Sequence, residues 1–251
     1  MKLHILYEDM HLLVCYKPAG VPVQSAGVGK QDCISILKNY LYERQKKGEP
    51  YVGVVHRLDQ PVEGVLVFAK TPFAARELSR QVTEGSMEKF YLALCQEKRI
   101  DETGGKNVDN VDILVDKSGI YRDFLLKNGK LNTSTVVSPQ TKGAKLAEME
   151  YDFLMEREGI KLVKIRLLTG RHHQIRVQMA YHGNPLVGDT KYYPQMTEGR
   201  AVDKWMGDVQ GVALCAYCLA FSHPKTKEPL CFEICPKHPL LKEAWEAYRF
   251  Q

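Results

Sequence analysis

Residues 53–70 read GVVHRLDQPVEGVLVFAK. The flanks, GVV and VLVFA, are short β-branched and aromatic runs, the composition of buried strands. Between them, HRLDQPVEG brings an imidazole, a guanidinium and two carboxylates, those of His56, Arg57, Asp59 and Glu63, into one turn. Polar groups crowded at the exit of a buried strand sit where a rigid scaffold can present them to a ligand. Pro61 and Gly64 shape the turn. A carboxylate in such a loop also has a plain structural use, accepting backbone N–H groups, and Asp59 alone does not choose between the two.

Outward from this stretch, ILYEDMHLLVCYKPAG reads as two short strands around a Glu8–Asp9 turn, closed by Pro18-Ala19-Gly20. CISILKNYLYERQKKG has helical spacing at Ile34, Leu37, Tyr40 and Leu41 and ends at Gly48. Thr71-Pro72 opens a second helix, FAARELSRQV, with proline in the first turn, and KFYLALCQ returns as a strand. Residues 99–145 are polar and turn-rich and read as an elaborated surface excursion. AEMEYDFLMEREGIKLVKIRLLTG is a hairpin turning at Arg157-Glu158-Gly159. RHHQIRVQMAYHG reads as a helix, followed by two strands, VALCAYCLAF and LCFEICP, and a C-terminal helix, PLLKEAWEAYRF. Hairpins mixed with inserted helices give an α+β class, a mixed, largely antiparallel sheet with flanking helices.

The chain has 251 residues, 44% hydrophobic and 26% charged, with a net charge of +5. That length holds one large domain or two small ones, and with no linker or repeat a single catalytic domain over 1–251 is expected. The mild basic excess is compatible with a polyanionic partner without demanding one. There is no apolar run of transmembrane length, and the N-terminus lacks a signal-peptide pattern, so a cytoplasmic location is expected. Seven scattered cysteines do not make a disulfide framework.

A second polar cluster lies in LLTGRHHQIRVQMAYHGNPLVGDTKYY, residues 167–193. Arg171 would sit in the first turn of the helix, where a cation opposes the helix dipole and calls for a negative group nearby. A solvated helix face explains the charges equally well, and adjacent histidines do not share a helix face for metal binding. Cys215 and Cys218, followed by Cys231 and Cys235, raise a zinc site. A spacing of three within a strand, however, sends Cys215 and Cys218 to opposite faces, and no metal is expected.

HRLDQPVEGVLVFAKT, KFYLAL and the GRHHQIR segment, in this order and separation, together with ILYEDMHLLVCYKPAGVPVQ and ALCAYCLAFSHPKTKEPLCFEICP, resemble the RluA-type family of RNA pseudouridine synthases over most of the chain. The resemblance implies the pseudouridine synthase fold and the isomerisation of uridine to pseudouridine in structured RNA, ribosomal or transfer, with no cofactor and no metal. It implies that Asp59 is the catalytic aspartate, that Tyr91 lies beneath the target base, that Arg176 pairs with the catalytic carboxylate, and that Arg57 lies where the target nucleotide is flipped out. Such an arginine would hold Asp59 ionised, lowering its pKa by ~1–3 units. His56, Arg171, Lys17, Lys70 and Lys89, with Lys191, are candidate RNA contacts, each equally readable as an ordinary surface group. A monomer is expected.

The chain departs from the family pattern at Val62-Glu63, usually Thr-Ser, where Glu63 would put a second negative charge near the site. It departs again at Gln178, usually histidine, and at CAYCL. The altered Val62-Glu63 keeps a second reading open, a non-catalytic RNA-binding protein on a synthase scaffold. An acid–base hydrolase using Asp59 and His56 lacks an accompanying serine or cysteine nucleophile motif.

Overall fold

The structure, a computed structural model, describes residues 1–25, 31–45, 48–96, 117–193 and 211–250. Its strands are β1 (His4–Glu8), β2 (Leu12–Lys17), β3 (Gly53–Val54), β4 (Glu63–Ala69), β5 (Glu88–Gln96), β6 (Ser118–Asn128), β7 (Thr133–Val137), β8 (Lys145–Arg157), β9 (Ile160–Leu167), β10 (Leu214–Ser222) and β11 (Pro229–Glu233). The described helices are α1 (Cys33–Gln45), α2 (Pro72–Glu84), α3 (Gln174–Tyr181) and α4 (Pro239–Arg249). All the strands join one sheet in the order β1-β2-β4-β10-β5-β9-β8-β6-β7, with β11 beside β10 and β3 beside β4. The β4–β10 pair is parallel and the others are antiparallel, as an α+β reading requires.

The centre of the sheet is dry on both sides. Every residue of β2 and of β4 is buried, which explains their unbroken apolar runs. Alternate residues divide between the faces. Leu13, Cys15, Leu66, Phe68, Tyr91, Ala93 and Ile165 form one cluster with Ile36 and Leu37 of α1 and Ile175 and Met179 of α3. On the other side Val14, Val65 and Val67 pack with Ala74 and Leu78 of α2, and Leu92 and Leu162 with Leu241 and Trp245 of α4. Helix α2 starts as its sequence demands, with the Thr71 hydroxyl accepting the Ala74 N–H at 3.2 Å, and ends on Gly85 in the left-handed region.

Gly64 opens β4 at φ +144°, and a Cβ there would lie 2.5 Å from the Ala216 backbone oxygen. Only glycine lets β4 and β10 approach this closely at the point where the loop 55–62 leaves the sheet.

Four readings need correction. Within 99–145, residues 97–116 lie outside the described ones, but 118–137 is no surface excursion. It forms β6 and β7, which extend the sheet beyond β8. β6 alternates exposed and half-buried residues because it runs near the sheet edge, so its sequence lacks an apolar signature. The helix in RHHQIRVQMAYHG starts at Gln174, not Arg171, because His173 takes the left-handed region at φ 54°. Glu63 is not a loop residue. It is buried in β4, where its carboxylate takes the Tyr16 hydroxyl and the Lys237 and His238 N–H groups, both at 2.9 Å. Finally, a register shift between Cys215 and Cys218 breaks the strand alternation. Both cysteines therefore pack in the Leu92–Trp245 cluster, and the Cys218 and Cys231 sulfurs lie 3.7 Å apart. Among the described residues no cluster has the makings of a metal site, and no helix is long and apolar enough to cross a membrane.

Candidate active site

The loop 55–62 is pinned at both ends. Its Gln60 carbonyl accepts the Gly20 N–H at 2.8 Å and the Lys17 ammonium at 3.1 Å, and Lys17 also donates to the Pro18 carbonyl at 3.0 Å. The Val62 N–H closes a turn on the Asp59 carbonyl at 3.1 Å. The side chains of Leu58 and Val62 are buried beneath. On the other side His56 Nε2 accepts the Val67 N–H at 3.3 Å, extending the short β3 ladder with a side chain. These bonds leave Asp59 fixed, with about a quarter of its side chain exposed.

Two groups from the start of α3 face that carboxylate. Arg176 Nη1 lies 3.5 Å from Asp59 Oδ2, and His173 Nε2 lies 3.8 Å from the same oxygen. The pairing of Arg176 with Asp59 is therefore present, but it is the weaker of two. Arg176 Nε and Nη2 each donate at 2.7 Å to the two oxygens of Asp189, which is almost wholly buried. Such a fork-to-fork pair fixes the guanidinium plane, and the Tyr192 ring lies 5.2 Å from its central carbon. Asp189 is itself held by the N–H groups of Lys191 and Tyr192, at 3.2 and 3.3 Å. Gln174 ties the strand exit to the helix, its Oε1 accepting the Arg171 N–H at 3.0 Å and the Thr169 hydroxyl at 2.8 Å, and its Nε2 donating to the Glu148 carbonyl at 3.0 Å.

The electrostatics differ from the expectation. Burial raises the Asp59 pKa, and the Arg176 charge only partly opposes it, while Asp189 adds to the rise. Arg176 cannot overcome the burial because one guanidinium serves two carboxylates and spends its shorter bonds on the other. Burial, with the nearby Asp59 charge, also pushes the Tyr91 phenol up, so it stays protonated.

A cleft of about 710 Å³ runs over Asp59 and Tyr91, bordered by Arg57, Lys89, Lys127 and Arg171. Arg57 is exposed and has no ion-pair partner among the described residues. Arg171 is exposed too, its Nε donating to the Leu146 carbonyl at 2.7 Å. Lys89 borders the cleft but is mostly buried, which lowers its pKa. Lys191 lies in the adjoining hollow, its Nζ on the Asn132 carbonyl at 3.1 Å. His56 borders the cleft as a neutral ring, its pKa pushed down to about 3 by burial and then by the Lys89 charge.

Two candidate RNA contacts do not stand. Lys17 has no exposed surface, and its pKa is pushed down to about 8 by burial, so it holds the loop and reaches no phosphate. Lys70 is spent on the Glu8 carboxylate at 2.7 Å and the Asp9 carbonyl at 2.5 Å. Gln178, the departure in α3, is buried and donates to Asp123 of β6 at 2.7 Å and to the Ala147 carbonyl at 3.2 Å. Asp189, Tyr192 and Lys127 were not singled out by the sequence. A signal for Asp189 existed, an acid directly after the apolar Pro185-Leu186-Val187 run and Gly188, thirteen residues beyond Arg176.

Residues 11–181 match the family model described as RNA pseudouridylate synthase. An RNA pseudouridine synthase of Aquifex aeolicus (strain VF5), itself described as uncharacterized, is 32% identical over 92% of this chain and 69% of its own length. The ribosomal large subunit pseudouridine synthase D of Pseudomonas aeruginosa is 34% identical over 76% of this chain, which spans 54% of that relative. The solved structure of human RNA pseudouridylate synthase domain containing 4 superposes with a TM-score of 0.74 over 96% of this chain and 92% of its own, at 20% identity, which speaks for the fold alone.

Proposed function

The chain belongs to the RNA pseudouridylate synthase family, of the RluA type, and from that premise we propose that it isomerises uridine to pseudouridine in a structured RNA with Asp59 as the acting carboxylate. The observation that carries the site assignment is the meeting of Asp59, Arg176 and Tyr91, far apart in sequence, in one basic-rimmed cleft.

The reaction breaks the bond from the ribose anomeric carbon to uracil nitrogen 1, turns the base, and rejoins the sugar to carbon 5. The proton on carbon 5 leaves and nitrogen 1 gains one, so atoms balance with no redox change. The departing uracil carries negative charge and the anomeric carbon becomes electron-poor. Asp59, ionised, either attacks that carbon or takes a proton from its ribose neighbour. Arg176, fixed by Asp189, keeps a positive charge beside it throughout.

The uridine must leave its stack, at a cost of a few kcal/mol. Tyr91 would floor the flipped base, and base–aromatic stacking returns roughly 1–3 kcal/mol. Arg57 would occupy the vacated space or a flanking phosphate, and Arg171 and Lys127 would meet the backbone. Tyr91→Phe is expected to leave RNA affinity unchanged and to lower kcat on the order of 10²-fold, the contribution of a hydroxyl handling a proton in the transition state. Single-turnover kinetics measure it, and an unchanged kcat would limit Tyr91 to stacking.

The names of several relatives, among them the ribosomal large subunit pseudouridine synthase C of Haemophilus ducreyi, point to ribosomal rather than transfer RNA. We read 1–251 as one catalytic domain because the described strands share one sheet. The case for a non-catalytic binder rests on Val62-Glu63. Val62 is a buried apolar side chain in the pocket wall beside Asp59, and the Glu63 carboxylate is buried and bonded to Tyr16 and the Lys237 and His238 N–H groups, which argues against that case. The test is a map of pseudouridines across cellular RNA with and without the gene. Loss of one or a few positions in large-subunit RNA is expected. An unchanged map would refute the reading.

A further inference from the structure

Two stacked imidazoles stand over Asp59. The rings of His172 and His173 lie 3.8 Å apart at 23°, and each is fixed through Ser134 of β7. The buried Ser134 gives its backbone N–H to the Tyr192 hydroxyl at 2.9 Å, and its own hydroxyl meets His172 Nδ1 at 2.9 Å. The Tyr192 oxygen thus accepts one hydrogen and has one to give. Its remaining partner among the described residues is His173 Nδ1 at 2.6 Å. The phenol hydrogen therefore goes to Nδ1, and the proton of a neutral His173 sits on Nε2, the nitrogen that faces Asp59. His172 follows the same pattern, its Nε2 meeting the Asn132 side-chain oxygen at 3.1 Å while Nδ1 takes the Ser134 hydroxyl.

We propose that His173, held as the Nε2–H tautomer by Tyr192 and Ser134, is a further catalytic residue that donates this hydrogen to an oxygen of the flipped uridine lying against Asp59. At 3.8 Å the Nε2–H does not make a hydrogen bond to Asp59 in the free protein, so its donor capacity is unspent. The ring stays neutral at physiological pH, with its pKa pushed down to about 4 by burial and then by the charges of Arg176, Lys191 and Lys127, which Asp189 opposes. A neutral donor beside a carboxylate that must remain anionic can stabilise charge developing on the substrate without giving up its proton to Asp59. The backbone strain at His173, φ 54° in the left-handed region, directs the ring into the cleft ahead of the helix. Tyr192 and Ser134 are positioning residues in this scheme.

This inference rests on the pseudouridine synthase reading, and its test separates the two. Nitrogen-15 spectra of histidine-labelled protein, with the His173 signals assigned by their loss in His173→Gln, are expected to show a protonated Nε2 and an unprotonated Nδ1 at pH 7. In turnover of target RNA, His173→Phe is expected to lower kcat by ~10²–10³-fold with KM within several-fold. His173→Gln, whose amide nitrogen reaches the Nε2 position, should recover at least tenfold of that. Tyr192→Phe keeps the ring beside Arg176 and should shift the tautomer and lower kcat together. A protonated Nδ1 in the wild type, or wild-type turnover by His173→Phe, overturns the proposal while the synthase reading stands. A wild-type protein that forms no pseudouridine in any RNA overturns that reading, whatever tautomer is found.

Discussion

Asp59→Asn is expected to abolish pseudouridine formation, a loss on the order of 10⁴–10⁶ in kcat, while RNA affinity stays within several-fold. The substitution keeps the shape of the side chain and removes only its charge and nucleophilicity. It leaves the buried scaffold whole, because Arg176 keeps both of its 2.7 Å bonds to Asp189. RNA affinity should survive because it comes from cations around the cleft and from stacking, neither of which changes. Filter binding and single-turnover assays on the same RNA separate the two effects. A variant that retained full turnover would overturn the site assignment, and one that lost binding in proportion would make Asp59 a binding residue.

Asp189→Asn should instead damage the fold and the chemistry together. Arg176 and Asp189 are both almost fully buried, at 5% and 1% side-chain exposure. Removing one charge of such a pair strands the other, at a cost of about 3–5 kcal/mol, or roughly 6–20 °C in Tm for a chain of this size. Calorimetry checks it. The variant also moves the pH profile. In the proposed mechanism Asp59 acts as an anion, so activity is expected to rise with pH through its pKa, which burial and the Asp189 charge hold above the ordinary carboxylate value. Without the Asp189 charge, and with Arg176 no longer shared, the Asp59 pKa falls and the acid limb of kcat/KM moves to lower pH. A limb that stays in place would mean that Asp189 supports structure alone.

The groups that meet at the site were legible to very different degrees. HRLD stands out on its residues alone, polar groups crowded between apolar runs, whereas Tyr91 in KFY and Arg176 in HQIR are marked only by the resemblance to the family, and the structure brings Asp59, Tyr91 and Arg176 to one cleft. What surrounds them was harder to read because it depends on contacts across the sheet. Ser134 orients both histidines from a strand whose alternation is weak, since β7 is the edge strand of the sheet, with β6 beside it. Glu63 looked like a loop residue because a charge in a buried strand is expensive, and only the Tyr16 hydroxyl and two N–H groups from residues 237 and 238 explain it. Lys17 looked like a surface cation for the same reason, and the Pro18 and Gln60 carbonyls account for its burial. The expected drop in the Asp59 pKa fails first because burial outweighs the Arg176 charge, and then because Asp189, which shares that arginine, adds to the rise, neither of which the sequence reveals.

The most direct measurement follows the hydrogen on uracil carbon 5. Joining the ribose to that carbon must release it to water, whereas hydrolysis of the glycosidic bond would free uracil and leave the hydrogen in place. With large-subunit RNA carrying tritium at carbon 5 of uridine, the wild-type protein is expected to release one tritium per pseudouridine formed, with no free uracil, and Asp59→Asn to release none. Free uracil with tritium retained, or equal release by Asp59→Asn, would contradict the assignment of an isomerase built around that carboxylate.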